Sequence, residues 1–262
     1  MRGGLGDRVL YIYTWLIIGW LSLPIAVMIL FGFNDKQSKS NTSWQGFTFK
    51  WYHQLFAIDG LTTALVNSLL IALISTVLAT VLGTLLGLAV GRYRFRGKGV
   101  TDFLIFAAIS TPELVMGASL LSLFVSGNAP RGHITIIIAH TLFSLAFVVV
   151  TVRARVVGLD PSLEEAARDL GAGTWTTFRL VTLPSIMPGV AAGAMLAFAL
   201  SIDDYVVTSF VNGSTQTFPL WIIGAVKVGI PPQVNVMGTL IFGIGVLLAV
   251  VNAVSARRKT TH

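Results

Sequence analysis

Cysteine is absent from all 262 residues, which excludes disulfides, thiolate metal centres and cysteine nucleophiles. Histidine is nearly as scarce. His53, His133, His140 and His262 are scattered with no pair at ligand spacing, so no metal is expected. Charged residues make up only 11% of the chain, against about 25% in soluble domains, and that shortage excludes a soluble globular domain. A nucleotide-binding loop is missing too. In "GRYRFRGKGV" five residues separate Gly91 from Gly97 and Gly99 follows Lys98, whereas a P-loop has four residues between its glycines and Ser or Thr after the lysine. A catalytic set is equally absent. His140 and Ser144, about one helical turn apart, come nearest to one, and they read as core residues that should tolerate substitution.

Apolar surface is what the chain has in quantity, with 54% hydrophobic residues and a mean hydropathy of +0.80. Mostly apolar stretches of roughly twenty residues recur, each long enough to cross a hydrocarbon core of ~30 Å. They predict an all-α, polytopic membrane protein of one domain, residues 1–262, embedded in lipid. Six spans are expected at about 11–33, 64–91, 102–126, 133–153, 187–211 and 236–256, with a polar loop at about 154–186. The first run follows Arg2 and Arg8 as a signal peptide would, but it is too long for such an apolar region and lacks a small-x-small cleavage site.

Net charge is +7, yet the basic runs lack the aromatic interleaving of a nucleic-acid surface, and no nucleic acid is expected. The asymmetry of Lys and Arg along the chain explains the charge instead. Thirteen of the eighteen (Arg2, Arg8, Arg92, Arg94, Arg96, Lys98, Arg153, Arg155, Arg168, Arg179, Arg257, Arg258 and Lys259) fall on one side of the six spans, and only Lys36, Lys39, Lys50, Arg131 and Lys227 fall on the other. Because Lys and Arg collect on the cytoplasmic side, both termini are expected inside.

Small residues and aromatics mark the remaining contacts. Gly83, Gly87 and Gly91 form a doubled GxxxG in span two, and Gly189 and Gly193 repeat the spacing in span five. Such a stripe either admits a neighbouring backbone or is merely tolerated in a membrane helix. Trp44, Phe47, Phe49, Trp51 and Tyr52 suit an interfacial belt. A short outer helix is predicted from Leu220 to Val228, ended by Gly229, Pro231 and Pro232; it suits a cap on a pathway or an inert surface helix.

The inner segment from Arg153 to Leu183 has the signals of a folded element. Asp160 suits an N-cap and Pro161 the first helical position, Glu164 and Glu165 favour the positive helix end, and Gly171 is a stop. Leu163, Ala166, Ala167 and Leu170 then form a narrow apolar stripe, fit for a partner's groove or for a plain connection. A second short helix is expected after Gly173 and Thr174, carrying Trp175 and Phe178, with Pro184 and Pro188 at the entry to span five. The run Glu165, Ala166, Ala167, three residues, Gly171, nine residues, Val181, Thr182, Leu183, Pro184 resembles the EAA loop of the binding-protein-dependent permeases of bacterial ABC importers. Val181 departs conservatively from that family's Ile. The resemblance implies that Glu165, Ala166, Ala167, Leu170, Gly171, Leu183 and Pro184 form the coupling loop that docks on a cytoplasmic ATPase dimer. It also implies that ATP and Mg2+ are held there, with no cofactor in this chain.

Three carboxylates fall in span interiors: Glu113 after Pro112, and the pair Asp203 and Asp204. An Asp at a helix centre costs about 2.5 to 3.5 kcal/mol on insertion scales, so such acids face a bundle interior or water. Ser201, Asp204, Tyr205, Thr208 and Asn212 share one helical face, as a pathway lining would. Asp203 is rotated by about 100° from Asp204, so one of the two is expected to bond a neighbouring helix. The substrate pathway is assigned to Glu113, Asp203, Asp204, Tyr205, Ser201 and Thr208, a lane for a cation because no Lys or Arg lies in a span interior. The other reading keeps the acids protonated or hydrogen-bonded between helices.

The stretches "TPELVMGASLLSLF", "LAFVVVTVRARVVGLD", "FALSIDDYVVTSFVNG" and "PLWIIGAVKVGIPPQVN" resemble PotC-type permeases, the membrane subunits of spermidine and putrescine importers. The likeness implies a non-enzymatic subunit of the bacterial inner membrane. Its implied partners are a second homologous permease, the ATPase dimer and an extracytoplasmic binding protein that delivers a small cationic substrate. Glu113 stands where that family has Asp, and Tyr205 where a small aliphatic residue is usual, which leaves other cationic or amino-acid-derived solutes open. A self-contained secondary transporter is the alternative of a different class, and it has no use for the long inner loop.

Overall fold

The computed structural model describes residues 5–36, 41 and 43–259. Arg2, Lys39 and His262 lie outside the described residues. Twelve α-helices follow in order: α1 Leu5–Phe31, α2 Lys50–His53, α3 Asp59–Arg92, α4 Lys98–Ser110, α5 Glu113–Ser126, α6 His133–Val157, α7 Ser162–Asp169, α8 Thr174–Thr177, α9 Leu183–Asp203, α10 Val206–Val211, α11 Phe218–Val226 and α12 Pro232–Lys259. A wide π-helical turn, Phe178–Thr182, joins α8 to α9. The bridge Asn34–Phe47 is the one β pairing among the described residues.

Four described helices are long and apolar enough to cross a membrane: Gly6–Phe31, Asp59–Arg92, His133–Val157 and Thr174–Asp203. The expected sixth span lies on α12. Spans three and five depart from expectation. The stretch 102–126 is two helices, α4 and α5, bent by 107°. Pro112 causes the break, because its ring forces the residue before it out of the helical region, and Thr111 is extended at φ −71°, ψ 126°. The Thr111 hydroxyl donates to the Ala107 carbonyl at 2.7 Å, so the end of α4 keeps a partner.

The expected fifth span, 187–211, begins earlier and ends sooner. Its helix runs from Thr174 and absorbs Pro184 and Pro188. A proline ring clashes with the carbonyl four residues before it, and for Pro184 that is Leu180, inside the wide turn. The helix stops at Asp203, and Asp204 is extended at φ −65°, ψ 120°.

The chain divides into two compact units. One comprises residues 1–59 and 222–262, with α1 packed on α12. Gly238 lets Met28 lie close on α12: a Cβ there would stand 2.7 Å from Met28 Sδ. Asn34 is fully buried there and ties the following loop together: its amide donates to Asn41 Oδ1 and the Ser43 carbonyl, and its oxygen accepts from the Gln45 N–H. Four rings pack beside it, with Phe33 stacked on Phe47 at 5.2 Å and on Tyr52 at 4.8 Å, and Phe49 edge-on. The expected aromatic belt is thus in part a cluster.

The second unit, residues 60–221, is built around α6. Val148, Val149 and Val152 are fully buried. Cβ atoms on Gly83, Gly87 and Gly91 of α3 would approach Val148, Val152 and Val156 to 2.7, 3.0 and 2.8 Å. From α9, Gly193 faces Val148 in turn, with a Cβ contact of 3.3 Å. The α3 stripe and Gly193 therefore seat neighbouring backbones against the same valine ridge, while Gly189 meets Arg155 of α6, its Cβ contact 2.8 Å; such close approach matters where lipid provides no hydrophobic drive for association.

Candidate functional site

The two helix breaks bring the acids together. Glu113 opens α5 directly after the Pro112 break, while Asp203 closes α9 and Asp204 and Tyr205 form the next break. Glu113, Asp203, Asp204 and Tyr205 all line one cavity of about 380 Å³, whose other walls are Thr111, Met116, Phe143, Phe147 and small or aliphatic residues of α4, α9 and α10. Among the described residues, no Lys, Arg or His lines it. Glu113, Asp203 and Tyr205 are exposed to it or to solvent. This surface offers carboxylates and an aromatic ring to a cation and no fixed positive charge to neutralise them.

Asp204 is held differently. Its side chain is only 6% exposed, with Oδ2 3.3 Å from His140 Nε2. That oxygen also accepts from the Thr208 hydroxyl at 2.6 Å and the Thr208 N–H at 2.7 Å, and Oδ1 meets the Val207 N–H at 3.3 Å. Asp204 thus caps α10, stabilised by the positive helix end. His140, 1% exposed, spans the cluster: Nδ1 pairs with Ser201 Oγ at 2.7 Å and Nε2 with Thr208 Oγ1 at 2.9 Å, and Ser201 meets Ser75 of α3 at 3.0 Å. A buried carboxylate is tolerable only with such partners.

Ser201 and Thr208, expected on the pathway, do not line the cavity; they are 4% and 0% exposed within this network. The reason is the break at Asp204, which ends the continuous helical face that the sequence pattern assumed. Asn212 likewise turns to the Thr215 carbonyl. Nor does His140 pair with Ser144, whose hydroxyl has no hydrogen-bond partner among the described residues. His140 instead has several buried partners of its own.

The inner loop forms the predicted helix as α7. Asp160 Oδ1 accepts from the Ser162 N–H at 2.9 Å, which holds its carboxyl below the ordinary Asp range. Gly171 sits at φ +85°. Its N–H donates to the Arg168 carbonyl and the Ala172 N–H to the Ala167 carbonyl, the paired bonds of a Schellman motif. Glu165 and Ala166 are exposed, Ala167 and Leu183 half-buried and Pro184 exposed, while Leu170 is 89% exposed. The adjacent Glu164, not singled out beyond its place at the helix start, carries the ion pair to Arg92 at 2.8 Å. Its partner lies 72 residues away in sequence, so no local pattern points to it.

The chain matches the family described as "Binding-protein-dependent transport system inner membrane component" over residues 83–259. It is 42% identical to the spermidine/putrescine transport system permease protein PotC of Escherichia coli (strain K12), over 93% of this chain and 92% of that protein. With the putrescine transport system permease protein PotI of the same organism the identity is 39%, over 87% and 84%. Among solved structures, a bacterial alginate ABC transporter in complex with an alginate pentasaccharide-bound periplasmic protein has a chain that superposes with a TM-score of 0.67. Its identity is 14%, over 97% of this chain and 96% of that one.

Proposed function

Because the chain belongs to the family of binding-protein-dependent transport system inner membrane components, we propose that it forms half of the translocation pathway of an ATP-driven polyamine importer, with spermidine and putrescine as cargo. It is a transport subunit and carries out no chemistry. A second homologous permease completes the pathway, a cytoplasmic ATPase dimer holds ATP and Mg2+ and docks on the loop around Glu165 and Gly171, and an extracytoplasmic binding protein delivers the substrate. The assembly lies in the bacterial inner membrane with both termini of this chain inside.

The observation that carries the cargo reading is the cavity where Glu113, Asp203 and Tyr205 converge without a basic residue. Protonated amines suit it: carboxylates attract each ammonium, and the Tyr205 face adds a cation–π contact worth ~0.5 to 2 kcal/mol. The 42% and 39% identities to polyamine permeases support the same cargo.

The test is uptake of labelled spermidine by the four-component assembly in liposomes. Uptake should require both ATP and the binding protein, and putrescine should compete while neutral amino acids should not. Competition by neutral solutes alone overturns the cation reading. Nucleotide-independent flux through this chain by itself overturns the importer reading.

A further inference from the structure

The geometry points to Glu164, next to the EAA signature and outside it, as the joint through which movement of the docking helix reaches the membrane helices. The inference rests on the proposal that α7 docks on an ATPase. A helix of 8 residues is not stable alone in water, and α7 buries none of its residues. Something other than core packing must fix it to the body of the protein. Glu164 is the candidate, because it is only 15% exposed on its side chain and uses both carboxylate oxygens. Oε2 accepts from Arg92 Nη2 at 2.8 Å and Oε1 from the Thr182 hydroxyl at 2.9 Å. Arg168 Nη2 stands 3.8 Å away on the same helix.

Those partners are the ends of other elements. Arg92 is the last residue of α3, and Thr182 ends the wide turn that leads into α9. One carboxylate therefore links α7 to both helices that flank the α6 valine ridge. Beneath it lies a cavity of about 250 Å³, lined by Leu88, Val156 and Phe178 as well as by Glu164, Arg92 and Arg168. Close packing transmits a push directly, and α7 does touch α8 and the wide turn; toward α3 the cavity intervenes, so there displacement of α7 is carried by hydrogen-bonded charge, and the Thr182 bond adds a charged link on the α9 side. Such charge-assisted bonds are the stronger and more directional class. Glu165, exposed beside it, is left free for the partner surface.

The test uses the complete assembly, scored for retained ATPase, ATP hydrolysis and labelled spermidine imported per ATP. Glu164→Gln and Arg92→Gln should each keep the ATPase bound and hydrolysing while import per ATP falls at least fivefold. The double variant should fall no further than either single one, because both remove the same link. An unchanged ratio in Glu164→Gln, multiplication of the two losses in the double variant, or loss of the ATPase from Glu164→Gln overturns the joint. Leu170→Asp tests docking separately: the ATPase should dissociate, and its full retention with normal coupling overturns the docking proposal whatever Glu164 does.

Discussion

His140 grips Asp204 across the boundary between α6 and the broken fifth span, its Nε2 3.3 Å from Oδ2 while its Nδ1 meets Ser201 at 2.7 Å. One imidazole thereby fixes the last turn of α9, through Ser201, and the cap of α10, through Asp204 and Thr208. Ordinary hydrogen bonds between membrane helices average about 0.6 kcal/mol, but removing one partner of a buried charge costs about 3 to 5 kcal/mol. The cost here lies between the two, since Asp204 has only 6% of its side chain exposed but keeps its bonds from Thr208 and Val207. His140→Ala should lower the unfolding midpoint of the purified protein in detergent by several degrees, and His140→Gln, which retains a donor near the Nε2 position, should recover part of it. An unaltered midpoint in His140→Ala refutes this role.

The two adjacent aspartates should separate by phenotype. Asp203 is exposed on the cavity and makes no helix cap, so Asp203→Asn removes a charge from the path and little else. With unit charges ~4 Å apart interacting by about 4 kcal/mol at an effective dielectric constant of 20, and screening reducing that, about a tenfold rise in half-saturating substrate is expected at unchanged thermal stability. Asp204→Asn should lower stability as well, because the amide substitutes an N–H donor for an oxygen at a cap that accepts from Thr208 and Val207. Equal stability losses in both variants would contradict the division of roles.

What the sequence discloses of the fold depends on the range of the interaction. The start and stop of α7 are local: Asp160 reaches two residues ahead and Gly171 bonds three residues back, so spacing alone announced them. The glycine stripes were legible as candidates for close approach, but not the valine ridge they meet. The breaks at Thr111 and Asp204 do not show in an average over apolar windows, because there the backbone exchanges helical partners for side-chain oxygens inside segments that stay apolar on average. Even so, the presence of Pro112 and the paired aspartates marked both places. The bonds of Glu164 to Arg92 and of His140 to Ser201 and Asp204 join residues more than sixty positions apart, and nothing in their neighbourhoods specifies them.

The valine ridge gives a steric prediction with an internal control. At Gly83 an added Cβ would stand 2.7 Å from Val148 Cβ, an atom held close to its backbone that cannot swing aside. Gly83→Ala must push α3 and α6 apart, and overpacking of this kind costs about 1 to 3 kcal/mol. At Gly19 on α1 nothing lies within 4 Å, so Gly19→Ala should be neutral or slightly stabilising through its better helix propensity. Thermal unfolding of the two variants beside the parent protein decides the point, and a loss of equal size at both sites would refute it.

Gly171 offers the clearest backbone test in the docking loop, because its surroundings are empty. No atom lies within 4 Å of a Cβ built on it, yet its φ is +85°, and an L side chain in the left-handed region costs about 1 to 2 kcal/mol. The whole penalty of Gly171→Ala is therefore conformational, and it falls on the Schellman bonds that close α7. Gly173 supplies the contrast: it is equally unobstructed but sits at φ −68°, where alanine fits. Amide exchange over residues 163–170 should quicken about 5- to 30-fold in Gly171→Ala, the factor that one to two kcal/mol represents, and stay near the parent rate in Gly173→Ala. Because an importer that docks through α7 needs that helix formed, ATP-driven uptake should fall in the same order. Unchanged exchange in Gly171→Ala would show that the left-handed glycine does not hold the helix end.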